Sequence, residues 1–473
     1  MRRCYCEVSC SLQVEPGGYR FGLVLLDDPS TASIAVKILI VAFRFPPSNF
    51  IGAVRVGKLA RYLHRKGHGL RVLTTDISED RSLPVEIPRE WIVHTHYQDH
   101  QAWLDFIVRP VRHMSAASAA ATAGAPVVLD TPPIQSIWHK LRKHYYGLIH
   151  IPDPRIAWIR TAIPAGTRLI EEWKPDVIFA SAPPYTSLIV ACRLSRAFDI
   201  PWVADLRDLW ADNPYFSFPA WRRPIDRILE HLTLRNVSAI VTTSPYFAQR
   251  LRKLHHKRVE VVFNGFAEED FPRTSYEHDA AKSLVIRYTG SIYRGFRDPS
   301  PLFAAIAMLE SGLRGQIRVE FFGESGTNIS DLAAKHGVAD QVAVHPSVPY
   351  RTALELQLQA DVLLLLHWND KRDEGTIPGK LFEYLYARRP ILYIGYEHGT
   401  AAEIIKERGA GLISNSPERI REQLQAWVEN KRAGRLMRLD QSVSRGLSRD
   451  EQFCKLEPVF ADLLDEGRVS PRV

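Results

Sequence analysis

The segment Gly375-Thr-Ile-Pro-Gly-Lys-Leu-Phe-Glu-Tyr-Leu-Tyr-Ala-Arg-Arg-Pro390 sets a lysine three residues ahead of a glutamate. Pro378 and Gly379 mark a helix start, which puts Lys380 in the first turn and Glu383 on the same face. A helix start presents free N–H groups and the positive end of the dipole, so it attracts anions. Lysine for phosphate oxygens and carboxylate for ribose hydroxyls make a nucleotide grip. An ion pair between Lys380 and Glu383 on the helix surface accounts for the same pattern.

Other constellations follow apolar runs. Tyr288-Thr-Gly-Ser-Ile-Tyr-Arg-Gly-Phe-Arg297 supplies Gly290 and two arginines, Arg294 and Arg297. Guanidinium stays ionised and binds phosphate through two parallel hydrogen bonds; a surface loop with two solvated arginines is the plainer account. In Phe45-Pro-Pro-Ser-Asn-Phe-Ile-Gly-Ala53, Gly52 lets a ligand approach the backbone at a helix start, a setting that suits a diphosphate. It is not a GxGxxG motif, and an ordinary strand-to-helix turn explains it too. Trp202-Val-Ala-Asp-Leu-Arg-Asp-Leu-Trp-Ala-Asp212 offers Asp205, Arg207 and Asp208 as catalytic candidates. Carboxylates there would position a substrate or stabilise developing positive charge, while an Arg207–Asp208 ion pair is the structural alternative. Ser181-Ala-Pro-Pro-Tyr-Thr-Ser187 places Ser181 and Tyr185 as acceptor-side contacts, or as part of a helix cap.

These groups need a scaffold that brings strand ends together. Lys37 to Phe43 is a continuous apolar run, as expected of a strand buried on both faces. After it, Val54, Val56, Leu59, Ala60 and Leu63 recur at helical spacing as far as Gly67, and Leu70 to Thr74 reads as the next strand. Further strands are expected at 176–180, 202–204, 239–242 and 259–263, then at 284–288, 318–322, 362–366 and 391–394. Between 77 and 160 the pattern is weaker, with strand character at 91–94, helix character at 103–111 and a small-residue run at 116–125.

The 473 residues therefore read as two successive doubly wound α/β units. Residues 1–36 read as a loose or mis-started extension, 37–270 as the first domain and 283–445 as the second. The acidic stretch 265–282 reads as the linker. Residues 446–473 are expected to form a helix returning to the first domain. Ligands of such sheets bind beyond the carboxyl ends of the strands, and two such domains facing each other would enclose a cleft.

Composition excludes little. Apolar residues are 45% and charged residues 24%, and the formal net charge is +8. The excess suits an anionic partner or simply a solvated basic surface. Basic and aromatic residues crowd into 138–146 and basic residues into 250–258, patches suited to an anionic membrane or to solvent. No recognised nucleic-acid module interleaves them, so no nucleic-acid partner is expected. Cys4, Cys6, Cys10, Cys192 and Cys454 contain no CxxC pair, and no zinc or other metal site is expected. No stretch reaches the ~18 apolar residues of a membrane helix. The expected location is the cytosol, touching the inner face of the cell membrane.

Taken together, KILIVAFRFPPSNFIGAVRVGKLARYLHRKGH, YTGSIYRGFRDPSPLFAAI and GTIPGKLFEYLYARRPIL resemble a bacterial family 4 (group 1) glycosyltransferase of GT-B fold, over roughly residues 37–430. They are similar to the branch that builds capsule, exopolysaccharide and O-antigen. The resemblance implies a retaining enzyme that uses a nucleotide-sugar donor without a bound metal or cofactor, and a glycan or polyprenyl-diphosphate-linked acceptor. It further implies that Gly52 lies near the donor phosphates. Arg294, with Arg297 beside it, would hold the diphosphate, a role Lys380 shares, and Glu383 would be the second glutamate of an E-x7-E motif, contacting the ribose. The first glutamate would fall at position 375, where this chain has Gly375, and Arg388 stands where glycine is frequent. A sugar-nucleotide 2-epimerase and a non-catalytic binding protein on a decayed transferase fold are the rival readings.

Overall fold

The computed structural model describes residues 8–15, 18–25, 35–77, 82–97, 144–215, 218–273, 283–324, 328–435 and 438–469. The expected helix at 103–111 and small-residue run at 116–125 lie outside them. Strands β1 (Val8–Glu15) and β2 (Gly18–Leu25) pair antiparallel as a hairpin joined to neither large sheet. The stretch expected as a loose extension thus carries a two-stranded element.

The chain divides into two compact units. Unit 1 holds residues 1–243, 247–262 and 453–473; unit 2 holds 244–246 and 263–452.

In unit 1, strands β3 (Lys37–Val41), β4 (Gly69–Thr75), β5 (Ile92–Thr95), β6 (Val177–Ala182), β7 (Trp202–Leu206), β8 (Ala239–Thr242) and β9 (Val259–Val261) form one parallel sheet in the order β5-β4-β3-β6-β7-β8-β9. Ile38, Leu39, Ile40 and Val41 are all fully buried, because helices cover both faces of β3. Helix Ile51–Arg65 buries Ala53, Val56, Leu59, Ala60 and Leu63, and Gly67 at φ 87° ends it in a conformation that favours glycine. Helix Glu457–Val469 completes the same core with Val459, Phe460 and Leu463. There Glu457 pairs with the buried His68 at 3.0 Å.

In unit 2, strands β10 (Leu284–Thr289), β11 (Ile317–Phe322), β12 (Val342–His345), β13 (Val362–Leu366), β14 (Ile391–Ile394) and β15 (Gly411–Ile413) form a second parallel sheet, ordered β12-β11-β10-β13-β14-β15. Residues 263–271 belong to this unit: Phe266 and Phe271 pack on Tyr386, and Arg449 pairs with Asp270 at 3.4 Å. The front of the expected linker is therefore packed structure, whereas 274–282 lie outside the described residues.

Both sheets reverse winding direction beside their first strand, between β3 and β6 in unit 1 and between β10 and β13 in unit 2. The loops leaving these strands diverge to opposite sides and open a crevice at their carboxyl ends. Every sequence constellation described above falls at one of these two places or on a loop adjoining them.

Candidate functional site

In unit 2, helix Lys380–Ala387 begins beside the carboxyl end of β10. The Lys380 Nζ donates to Thr289 O at 2.6 Å and lies 4.0 Å from the centre of the Tyr288 ring. Gly290, at φ 122°, makes this approach feasible: a Cβ there would lie 2.6 Å from the Lys380 Nζ. Burial pushes the Lys380 ammonium well below its ordinary pKa, and the nearby positive charge of Arg297 pushes the same way, while Glu383 opposes them. Lys380 and Glu383 form no ion pair, so the helix-surface alternative does not hold. An anion bound here would restore the ammonium's preference for its charged form.

Glu383 is held from the other side. Tyr350 Oη donates to one carboxylate oxygen at 3.1 Å and Gln357 Nε2 to the other at 3.0 Å. The same Gln357 amide also reaches Thr289 Oγ1 at 3.1 Å, tying the carboxylate to the end of β10. A carboxylate has about four acceptor positions, so two donors fix its orientation and leave capacity for hydroxyl groups.

The two arginines separate. Arg297 is half-buried; its guanidinium donates to Tyr288 Oη at 3.2 Å and to Ser291 O, and packs over the Tyr293 ring at 4.5 Å. Arg294 is exposed on the loop. Arg297 is the one drawn to the strand end, beside Lys380.

Sequence reasoning passed over His367, which follows β13 directly. It is buried, and burial with the charges of Arg297 and Lys380 lowers its pKa to about 3, so it is neutral. Its Nδ1 lies 3.1 Å from Asp373 and 3.3 Å from Tyr393 Oη. The only available signal was its position at the end of a strand flanking the reversal. Asp373 thus turns inward, and Glu374 O accepts from the Thr400 N–H at 2.8 Å and the Thr400 hydroxyl at 3.1 Å. These bonds pin the loop that leads through Gly375 to Lys380. Arg388 caps the helix at φ 56°, the left-handed conformation that favours glycine.

The equivalent place in unit 1 is a small pocket lined by Ala42, Phe43, Phe50, Gly52, Ser181 and Arg207 among others. Here the charges are already spoken for. Arg55 grips both oxygens of Asp205, at 3.1 and 2.9 Å, and Ser181 Oγ donates to the same carboxylate at 2.7 Å. Asp205 is fully buried, so it acts by fixing Arg55 and Ser181 and not by touching a substrate. Arg207 donates to Ala182 O at 3.0 Å and to Pro183 O. Its guanidinium fills the space beside Gly52, where a Cβ would lie 2.2 Å from Nη1. Gly52 therefore makes room for Arg207, which changes the role expected for it. Arg207 and Asp208 form no ion pair. Burial raises the Asp208 pKa, Arg207 opposes that rise and Asp205 adds to it. Tyr185 is corrected outright: it is fully buried, donates to Leu209 O at 2.7 Å and stacks on Trp210 at 4.8 Å, so it supports the loop and meets no acceptor.

Residues 52–265 match the model of the glycosyl transferase 4-like domain, and residues 282–442 match that of the glycosyl transferases group 1. The chain belongs to the group 1 glycosyltransferases, and its fold is GT-B. No curated protein matches it. Among solved structures it is similar to HepE of Anabaena, crystallised with UDP (12% identity, TM-score 0.56, covering 91% of this chain and 100% of that one). It is similar also to a glycosyltransferase of Rickettsia africae (11%, 0.55, 91% and 99%) and to the sucrose-phosphate synthase of Thermosynechococcus elongatus (13%, 0.53, 92% and 98%). At these identities the likeness is one of fold.

Proposed function

We propose that this glycosyltransferase takes its sugar from a nucleotide-sugar donor whose diphosphate and ribose lie at the carboxyl ends of β10 and β13. The observation that carries the reading is the pair Lys380 and Glu383: a desolvated ammonium with no carboxylate partner, and one turn on a carboxylate oriented by Tyr350 and Gln357. Arg297 adds a second cation, with Arg294 on the loop beyond it. HepE has also been crystallised with UDP-glucose, which supports a donor of this class.

In this reading the leaving diphosphate gains charge as the glycosidic bond breaks, and Lys380 and Arg297 stabilise that charge where water is excluded. The acceptor hydroxyl attacks from the face the diphosphate leaves, so anomeric configuration is retained, and its proton passes to a phosphate oxygen. Asp208, with its raised pKa, is the candidate for acceptor contact in unit 1, and Ser181 lines that unit's pocket with Arg207, the residue before Asp208. The acceptor proposed is a glycan or lipid-linked sugar of cell-surface polysaccharide. The cations supplied by the protein replace a metal in this scheme, so chelation should leave turnover unchanged.

The test is direct. Lys380→Ala should cost about 10²–10³ in kcat, and Glu383→Ala should remove most transfer, both with unchanged circular dichroism. Wild-type turnover by both purified variants sinks the assignment. Magnetic resonance of the product anomer tests retention, and inversion of configuration would overturn it.

A further inference from the structure

Unit 1 carries an exposed apolar stripe that no part of the reaction uses. Helix Arg222–Leu234 presents Ile225, Ile228 and Leu232 to solvent at i, i+3 and i+7, one continuous line along the helix. Ile228 is 62% exposed and Leu232 55%. The helical residues 144–149 add Leu148, 60% exposed, and Tyr145, with His144 stacked on Trp221 at the start of Arg222–Leu234. Helix Pro245–His255 lies alongside, with His255 stacked on His231, and exposes Leu254. These are all the exposed large apolar side chains among the described residues of unit 1. Apolar residues gathered on one surface mark an interaction site.

Charge decides the partner. Both carboxylates of the helix, Asp226 and Glu230, are buried. Asp226 holds Arg222 at 3.0 Å; Glu230 accepts from Ala211 N at 3.1 Å and lies 3.2 Å from His255 Nε2. What the helix leaves exposed beside the stripe is basic: Arg223, Arg227 and His231, with Arg235 at its carboxyl end. Asp212 bridges Arg227 and Arg250, one carboxylate against two guanidinium groups. The basic run expected at 250–258 is partly neutralised, since Arg258 pairs with Glu260 and Asp462, and 138–143 lie outside the described residues.

We infer that helix Arg222–Leu234 lies in the surface of an anionic lipid bilayer, with Ile225, Ile228 and Leu232 in the acyl boundary and Arg223, Arg227 and Arg235 against the headgroup phosphates. An apolar stripe beside a basic flank, with every carboxylate of the helix turned inward, is the pattern of an interfacial helix. A protein partner would require acidic groups to face the arginines, which a second copy of this surface does not supply.

The experiment is flotation of the full chain with vesicles of phosphatidylcholine alone or with a third of phosphatidylglycerol. Wild type should float with the anionic vesicles only, and high salt should release it. Ile228→Glu/Leu232→Glu should weaken partitioning at least tenfold, and each of Arg223→Ala and Arg235→Ala about fivefold. Nucleotide-sugar binding by the Ile228→Glu/Leu232→Glu variant in vesicle-free solution should match wild type. That result separates failure of the lipid surface from failure of the donor site. Equal flotation of variant and wild type overturns the inference. So does a wild-type dimer, seen by sedimentation, that the double variant dissociates while neither protein binds vesicles.

Discussion

The two units place a cation in the space beside a glycine at the same point of the same topology, and they do opposite things with it. Beside Gly52 the guanidinium of Arg207 is fastened by two backbone carbonyls, and Arg55 is fastened by the buried Asp205. Asp205 and Asp208 also draw electrostatically on Arg207 against the cost of its burial, so carboxylates already act on these cations before any ligand arrives. Beside Gly290 the ammonium of Lys380 has one carbonyl and the face of a ring. Arg297 repels it, and Glu383 is turned toward Tyr350 and Gln357. The first is a mount held by hydrogen bonds and a buried ion pair; the second holds a desolvated amine at a strand end that a bound anion would favour in its charged form. A glycine at the first reversal of a doubly wound sheet therefore does not by itself mark a phosphate site. What matters is what already holds the cation beside it.

This contrast can be broken at four points. Asp205→Ala should give the largest effect, a loss of about 3–5 kcal/mol in stability, because it strands the buried Arg55; denaturant unfolding measures it. Gly290→Ala should weaken donor binding about tenfold, since the new methyl displaces the Lys380 Nζ and φ 122° disfavours any side chain; titration calorimetry measures it. Gly52→Ala should lower transfer while leaving donor affinity within about twofold, because the residue it moves is Arg207, which belongs to unit 1. Equal loss of donor affinity in the two glycine variants would erase the distinction. The smallest effect is with pH. Free Lys380 loses its proton at lower pH than an ordinary lysine, and the bound diphosphate favours the protonated form, so binding should take up a proton and weaken as pH rises through the lowered pKa. Calorimetry in buffers of different ionisation enthalpy detects the uptake, and Lys380→Arg, permanently charged, should abolish it.

The strands were legible because burial on both faces leaves an unbroken apolar run, as in Lys37 to Phe43 and Val362 to Leu366. The start of helix Lys380–Ala387 was legible because Pro378 and Gly379 punctuate it. What the sequence concealed is pairing over distance. Arg207 fills the space at Gly52, and Lys380 crosses to Thr289, and no local pattern relates residues so far apart. Tyr185 and Asp205 looked functional for the same reason. A polar residue at a strand end reads alike whether it faces solvent or is consumed by a partner from another strand. Phe266 and Phe271 were hidden among the acidic residues of the supposed linker, yet they pack on Tyr386.

The return of helix Glu457–Val469 to unit 1 has a consequence for how the chain is made. Phe453, Leu456, Val459 and Phe460 belong to the same core as Ile38 and Ile40. During synthesis, the residues of unit 2 leave the ribosome before that helix does, so unit 2 can close while unit 1 still has an open apolar face. The unit begun first is finished last, and deleting residues 453–469 should leave unit 1, not unit 2, prone to aggregate.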